Sequence, residues 1–381
     1  MTRNNNNDIQ VLRAVAIAFV IIQHVPYNLI QKFSPRVELF YSYFYGIVGV
    51  DLFFVISGFV ISRSLLGSLA KETKHDALRF FWIKRAYRIL PAAWLWLIVI
   101  LFLTVMFNSS GAFGSFRAAF EGAIAAVLNV ANVRFSECYG FFECGPTVVY
   151  WSLSLEEQFY IFLPLIILLS KRFLPVVLVA FAVTQILFDP LRLPATFRVT
   201  GLALGVILGW YSSSKEYQVF FIGAADRVKA RLIFFLLLLC LVVVLNPKLN
   251  VVNAELGYQI AAIVSAILVY MASMNSIGFF GGGALKLIVC WVGDRSYSLY
   301  LSHMPAFFAS REIVHRLPPE VLMGVSQNWI LVILSGVLMF VTADACFKYI
   351  EQPFQRKARE RIGKNQQSLA LQPDSSASAR V

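Results

Sequence analysis

Arg13 and His24 stand in the apolar stretch LRAVAIAFVIIQHV with ten residues between them. At ~100° and ~1.5 Å per residue, a helix would put both on one face, ~16 Å apart along its axis. An imidazole that deep in an apolar run is a candidate base, proton carrier or nucleophile, and a guanidinium is a candidate anion ligand. The plainer alternative makes Arg13 a snorkelling anchor and His24 a packed helix residue. Pro26 cannot donate to the carbonyl of Ile22, so a kink beside His24 is expected.

Three further polar islands offer partners. WSLSLEEQFY carries Glu156 and Glu157, Gln158, two serines and Tyr160, all costly in lipid unless they line a wet site. Adjacent residues point ~100° apart, so Glu156 is the carboxylate that shares a stripe with Ser152 and Tyr160. Counted from the apolar ends at Ile9 and Ser170, His24 and the glutamates fall at one depth, ~22 Å from the same face, so Glu156 or Glu157 could orient the imidazole. The alternative is that the glutamates cap the start of their helix. GDRSYSLYLSHMP sets Ser296, Tyr300 and His303 at helical spacing, and Asp51 in GVDLFFVISGF adds a carboxylate to the same layer. RFFWIKRAYRILP places Arg85 and Arg88 on neighbouring positions of a helix face, with Trp82 and Tyr87 interleaved. Such a set could hold the phosphates and ring of a nucleotide-bearing donor, or could simply be basic charge at a helix start.

The elements that must position these groups are membrane helices. The chain is 59% hydrophobic and 14% charged, with a mean hydropathy of +0.70, too apolar for a soluble domain of 381 residues. Ten apolar runs approach spanning length: Ile9 to Leu29, Tyr41 to Ser62, Leu90 to Phe107, Val149 to Leu169, Phe173 to Phe188, Phe197 to Tyr211, Leu232 to Leu245, Leu256 to Ala272, Leu287 to Ala309 and Asn328 to Phe347. Ala118 to Val130 is too short to span and is expected to be re-entrant or superficial. Most of the 33 Lys and Arg fall on one side, seven of them in Arg63 to Arg88 and seven from Lys348 onward. The positive-inside rule then makes both termini cytoplasmic and turns the +12 net charge into a topology signal, which argues against nucleic acid as a partner. The first run is a retained helix, since no small-residue cleavage pattern follows it.

Cys138 and Cys144 flank YGFFE in the outer loop, where a disulfide is permitted; two free thiols are the alternative. Cys240, Cys290 and Cys346 read as buried thiols. GFFGGG at 278–283 lacks the strand and helix of a phosphate loop and reads as a linker. No internal repeat is present. The end from about Lys364 has a disordered composition.

Taken in order, Arg13 with His24, GVDLFFVISGF, the Arg85 and Arg88 pair, WSLSLEEQFY, SYSLYLSH and EQPFQR resemble acyltransferase family three, bacterial inner-membrane enzymes that O-acylate surface carbohydrates such as exopolysaccharide and lipopolysaccharide. The resemblance runs over nearly the whole chain. It implies an all-α membrane protein of about ten helices, with residues 1–355 as the acyltransferase domain and 356–381 as a basic, disordered cytoplasmic tail. It also implies acyl-CoA, acetyl-CoA by default, as donor, a carbohydrate or lipid-linked glycan as acceptor, contact with membrane lipids, and no metal. By position His24 is the essential histidine, as base or acyl carrier, with Arg13 its partner; Arg85 and Arg88 match the donor-side motif and Glu156 and Glu157 the acidic one. Asp51, Ser152, Gln158, Tyr160, Tyr300, His303 and Arg198 are expected to line the site, while Tyr139, Phe141 and Phe142 are candidates for the acceptor's side. Some family members carry an esterase-like domain after the membrane part; here a basic tail follows. A proton-coupled transporter or flippase is the alternative from another class, because such carriers also bury layers of His, Asp, Glu and Arg.

Overall fold

A computed structural model describes residues 6–30, 34–187, 197–212, 227–246, 254–274, 283–318 and 327–370, with isolated positions between them. Each apolar run contains or forms a helix, and the polar residues around the runs set the helix ends. Helix α1 (Asn7–Asn28) starts where the Asn6 side chain accepts from Ile9 N at 3.1 Å. Pro26 does not end it: the helix continues to Asn28, whose side chain donates to the carbonyl of His24 at 2.7 Å. A short helix α2 (Pro35–Tyr43) leads into α3 (Val48–Leu69). Thr73 and Asp76 cap α4 (Lys74–Met106), so that helix begins well before the apolar run at Leu90 and carries its arginines in helical register.

Between α4 and α7 (Tyr150–Ser170) a lobe is built from α5 (Phe116–Val127) and α6 (Ala131–Cys138). The Ala118 to Val130 patch is thus largely α5, which buries Ala118, Ala119, Ala123 and Ala126 and exposes Phe116, Phe120, Ile124 and Val127. On its polar flank Glu121 pairs with Arg117 at 2.8 Å and Arg134 at 3.0 Å, and the Arg117 hydrogen bond is the chief cause that holds the Glu121 carboxyl below its ordinary pKa. A disulfide joins Cys138 to Cys144. The lobe is tied down where buried Glu312 accepts backbone hydrogen bonds from Ser109 and Ser110, each at 2.8 Å.

The remaining helices are α8 (Leu174–Leu187), α9 (Thr200–Tyr211), α10 (Arg227–Val244), α11 (Ala254–Ser273), α12 (Ala284–Asp294), α13 (Ser296–Arg316), α14 (Gln327–Cys346) and α15 (Gln352–Ala370). Helices α3 and α9 pack at backbone contact: a Cβ on Gly58 would meet the Leu202 carbonyl at 2.3 Å, and one on Gly205 would meet that of Val55 at 2.3 Å. That is the close approach that small residues permit between membrane helices.

Among the described residues, six helical stretches are long and apolar enough to cross a membrane: Asn7–Asn28, Val48–Leu69, Lys74–Met106, Tyr150–Ser170, Leu256–Ser273 and Asn328–Gln366. No strand occurs among the described residues. The run Leu287 to Ala309 is not one helix. It breaks between α12 and α13 at Arg295, whose φ of −97° and ψ of 7° leave the helical basin. Arg295 occupies the break, bonded to Asp344 at 2.7 Å and lying over the rings of Trp291 and Phe347. Helical structure continues through α15 to Ala370, well beyond the start of the expected tail at 356; residues 371–381 lie outside the described ones. Between α14 and α15, residues Phe347–Glu351 form a π-helical turn, a rare geometry often found at functional sites.

Candidate active site

Polar residues from several of these helices meet around one cavity of about 540 Å³. Helix α1 contributes Gln10 and Arg13, α3 Ser57 and Arg63, α4 Arg85 and Arg88, α7 Ser152, Glu156 and Tyr160, and α13 Ser296, Tyr297 and Tyr300; Asp294 and Glu351 complete the acidic side. Four guanidiniums, from Arg13, Arg63, Arg85 and Arg88, thus line the same cavity as three carboxylates. Such a concave, mostly preformed site with a few convergent polar groups is the usual form of a small-molecule pocket.

Arg85 is buried, with its guanidinium 5.6 Å from the centre of the Tyr160 ring. Among the described residues no carboxylate lies within ion-pair distance of it. Tyr160 donates instead to Glu156 at 2.8 Å, and Ser57 donates to the same oxygen at 3.1 Å while also bonding the Tyr160 hydroxyl. Ser152 and Tyr300 share a hydrogen bond of 2.6 Å, and Tyr300 donates to the carbonyl of Val149 at 2.8 Å. Glu351, placed by the π turn, accepts from Ser298 and feels the charges of Arg88 and Arg13.

The histidines lie beyond the cavity's lining. His24 Nδ1 is 2.7 Å from the carbonyl of Val20, and His303 Nδ1 is 2.7 Å from that of Tyr300. Their rings meet edge to face, with centroids 5.2 Å apart. His303 also packs against the Tyr300 ring, 5.7 Å between centroids, so Tyr300 touches both the cavity and the histidine pair.

This corrects the expected pairing of His24 with Glu156 or Glu157. The Ser152 to Tyr300 bond marks a common level of α7 and α13; Glu156 is four residues to one side of it and His303 three to the other. At ~1.5 Å per residue the two differ in depth by ~10 Å. Counting from Ile9 and Ser170 failed although α1 starts at Asn7 and α7 ends at Ser170, because those two helix ends do not lie in one plane. Glu157 does not line the cavity, and its Oε1 is buried without a hydrogen-bond partner.

Other expected positions divide. Arg13, Ser152, Tyr160 and Tyr300 line the cavity with Arg85 and Arg88. Asp51 and Arg198 do not; they form an ion pair of 2.9 Å, and Arg198 lies over the rings of Tyr258 and Trp151. Gln158 turns to the lobe and bonds Asn129 and Asn132. Trp82 and Tyr87 do not line the cavity: Trp82 is exposed beside Phe81, and Tyr87 meets Arg361 and Phe354 of α15. The i, i+3 spacing found the arginines; Tyr87, next to Arg88 in sequence, points ~100° away from it, whereas Trp82 is three residues before Arg85 and its exposure was not legible from spacing. Tyr139, Phe141 and Phe142 are exposed on the lobe. Ser57, Arg63, Tyr297 and Asp294 were not singled out by sequence. Ser57 is one hydroxyl in an apolar run, and the partial signal for it is Ser64, seven residues on along the same helix face and also in the cavity lining. No group of three or more His, Cys, Asp or Glu able to hold a metal ion occurs among the described residues.

Helices long and apolar enough to cross a membrane, an arginine-lined cavity among them and two histidines beside it define a multi-pass membrane protein with a ligand-sized site between its helices. The chain belongs to acyltransferase family three: the acyltransferase domain profile matches residues 6–348. It is similar to the O-acetyltransferase OatA of Staphylococcus aureus strains NCTC 8325 and COL, 28% identical over 373 residues in each, covering 91% of this chain and 56% of the relative. The chain therefore spans about half the length of the curated relatives it matches. No solved structure matches it.

Proposed function

We propose that the protein is a membrane O-acetyltransferase, which takes an acetyl group from acyl-CoA at the arginine-rich end of the cavity and delivers it to a hydroxyl of an extracytoplasmic or lipid-linked glycan. In this reading it is a ten-helix protein of the bacterial inner membrane with both termini in the cytoplasm. The observation that carries the reading is the convergence of Arg13, Arg63, Arg85 and Arg88 on one cavity whose far wall, Tyr300, touches the histidine pair. Guanidiniums clustered on one cavity suit the phosphates of a coenzyme A donor, and their charge is stabilised when such an anion binds. Family membership favours an enzyme over the proton-coupled carrier.

The chemistry falls to His24. A carbonyl oxygen can only accept, so His24 Nδ1 carries a hydrogen and donates it to Val20 O, which leaves Nε2 as the basic nitrogen. From there it acts as the base that takes the acceptor's proton, or as the acyl carrier. Glu156, held by Ser57 and Tyr160, balances Arg85 and does not orient the imidazole.

Calorimetry of purified protein with acetyl-CoA, wild type beside His24→Ala, tests this. Both should bind, and thioester hydrolysis without acceptor should be confined to the wild type, with transfer lowered at least ~10²-fold in the variant. Absence of donor binding by folded wild type would overturn the assignment.

A further inference from the structure

His303 has no role in the reading above, yet it is the more enclosed of the two histidines. It is fully buried, and its Nε2 has no hydrogen-bond partner. Leaving a buried polar atom unsatisfied is costly, and such an atom calls for a reason. Its Nδ1 is committed as a donor to the carbonyl of Tyr300, so the bare Nε2 holds a lone pair. The neighbouring polar ring is His24, committed in the same way through Nδ1 to Val20. Each imidazole is therefore left with one basic nitrogen. Two rings whose centroids are 5.2 Å apart can bring nitrogens within the ~2.6–3.2 Å of proton transfer by modest rotation. The remaining rings against His303 are Tyr300 and Phe307, and neither offers a charge.

We propose that His303 is the proton-holding partner of His24: the proton that His24 Nε2 takes from the acceptor is shared with His303 Nε2 until the leaving sulfur claims it. This rests on the transferase reading. In the direct form of the reaction, the acceptor oxygen forms its bond to the acetyl carbon as the bond from that carbon to sulfur breaks. The hydroxyl proton goes to His24, is held between the two imidazoles, and ends on the thiolate as coenzyme A thiol. No other reactant is needed. A single imidazole facing a hydrocarbon wall would have to carry the cation alone; a second neutral imidazole accepts a hydrogen bond from it and spreads the charge.

His303→Gln and His303→Phe test the pairing. Gln keeps a polar side chain, and Phe fills the space without a lone pair. Expected is a fall in kcat of roughly 10²-fold or more in both, with KM and Kd for acetyl-CoA within twofold of wild type. A purely structural role would instead let Phe or Gln retain kcat, so a folded variant within twofold of wild-type kcat overturns the proposal. Nitrogen-15 NMR of histidine-labelled protein supplies a readout independent of transfer: His24 Nε2 should shift when His303 becomes Phe, and an unchanged His24 signal would also overturn it. Should wild type bind no acetyl-CoA, the transferase reading fails by itself, while the NMR measurement still decides whether the imidazoles are coupled.

Discussion

Two arginine and carboxylate groupings lie deep in this bundle and differ in how their charges are met. Asp51 and Arg198 are closed on each other by hydrogen bonds of 2.9 and 3.3 Å, and Tyr258 and Trp151 cover the guanidinium. Arg85 and Glu156 both line the cavity without pairing; hydroxyls satisfy the carboxylate and a ring face meets the guanidinium. The closed pair holds α3 to the segment before α9 and leaves no space for a ligand. The open group stays available, because its charges are compensated by groups that an incoming anion can outcompete.

The comparison breaks most sharply on single substitutions. Asp51→Ala leaves Arg198 buried without its counter-charge and should cost ~3–5 kcal/mol, seen as a large drop in melting temperature or folded yield in detergent. Glu156→Gln should leave the melt nearly unchanged and lower transfer. The reverse pattern would mean that the closed pair is the working one. Next in size, Arg85→Ala and Arg88→Ala should each weaken acetyl-CoA binding by about 10- to 100-fold, the worth of a charge-assisted hydrogen bond of ~1.5–3 kcal/mol. Equal affinity in calorimetry would leave these arginines to topology alone. The smallest effect belongs to Tyr87→Phe, which removes an exposed hydrogen bond to Arg361; donor affinity and stability should move by less than ~0.5 kcal/mol. A large loss of affinity there would return Tyr87 to the donor site.

The sequence made the charged residues legible and their partners much less so. Arg13, Arg85, Arg88, Glu156 and Tyr300 stand out because a polar group in an apolar run has few inexpensive explanations, and all five reach the cavity. Cys138 and Cys144 were legible from spacing and compartment, and they are bonded. Asp51 and Arg198 stand out for the same reason as the five and yet satisfy each other, a distinction that needs two helices and so cannot be read from either. His24 found an imidazole where a carboxylate was expected, because depth within a helix is not measured from where its apolar residues begin. The break at Arg295 was hidden for a related reason: an arginine that caps one helix and pairs with Asp344 on another looks, in sequence, like one more charge in a long run.

The π turn at Phe347–Glu351 carries a consequence for insertions and deletions. It delivers Glu351 to the cavity on one side and starts α15, whose Arg361 and Gln366 reach Tyr87 and Glu72, on the other. One residue removed there would turn everything downstream by ~100° relative to α14. A single codon lost from this short stretch would thus unseat a cavity carboxylate and undock the terminal helix together, whereas the same loss between α1 and α2 would shift neither.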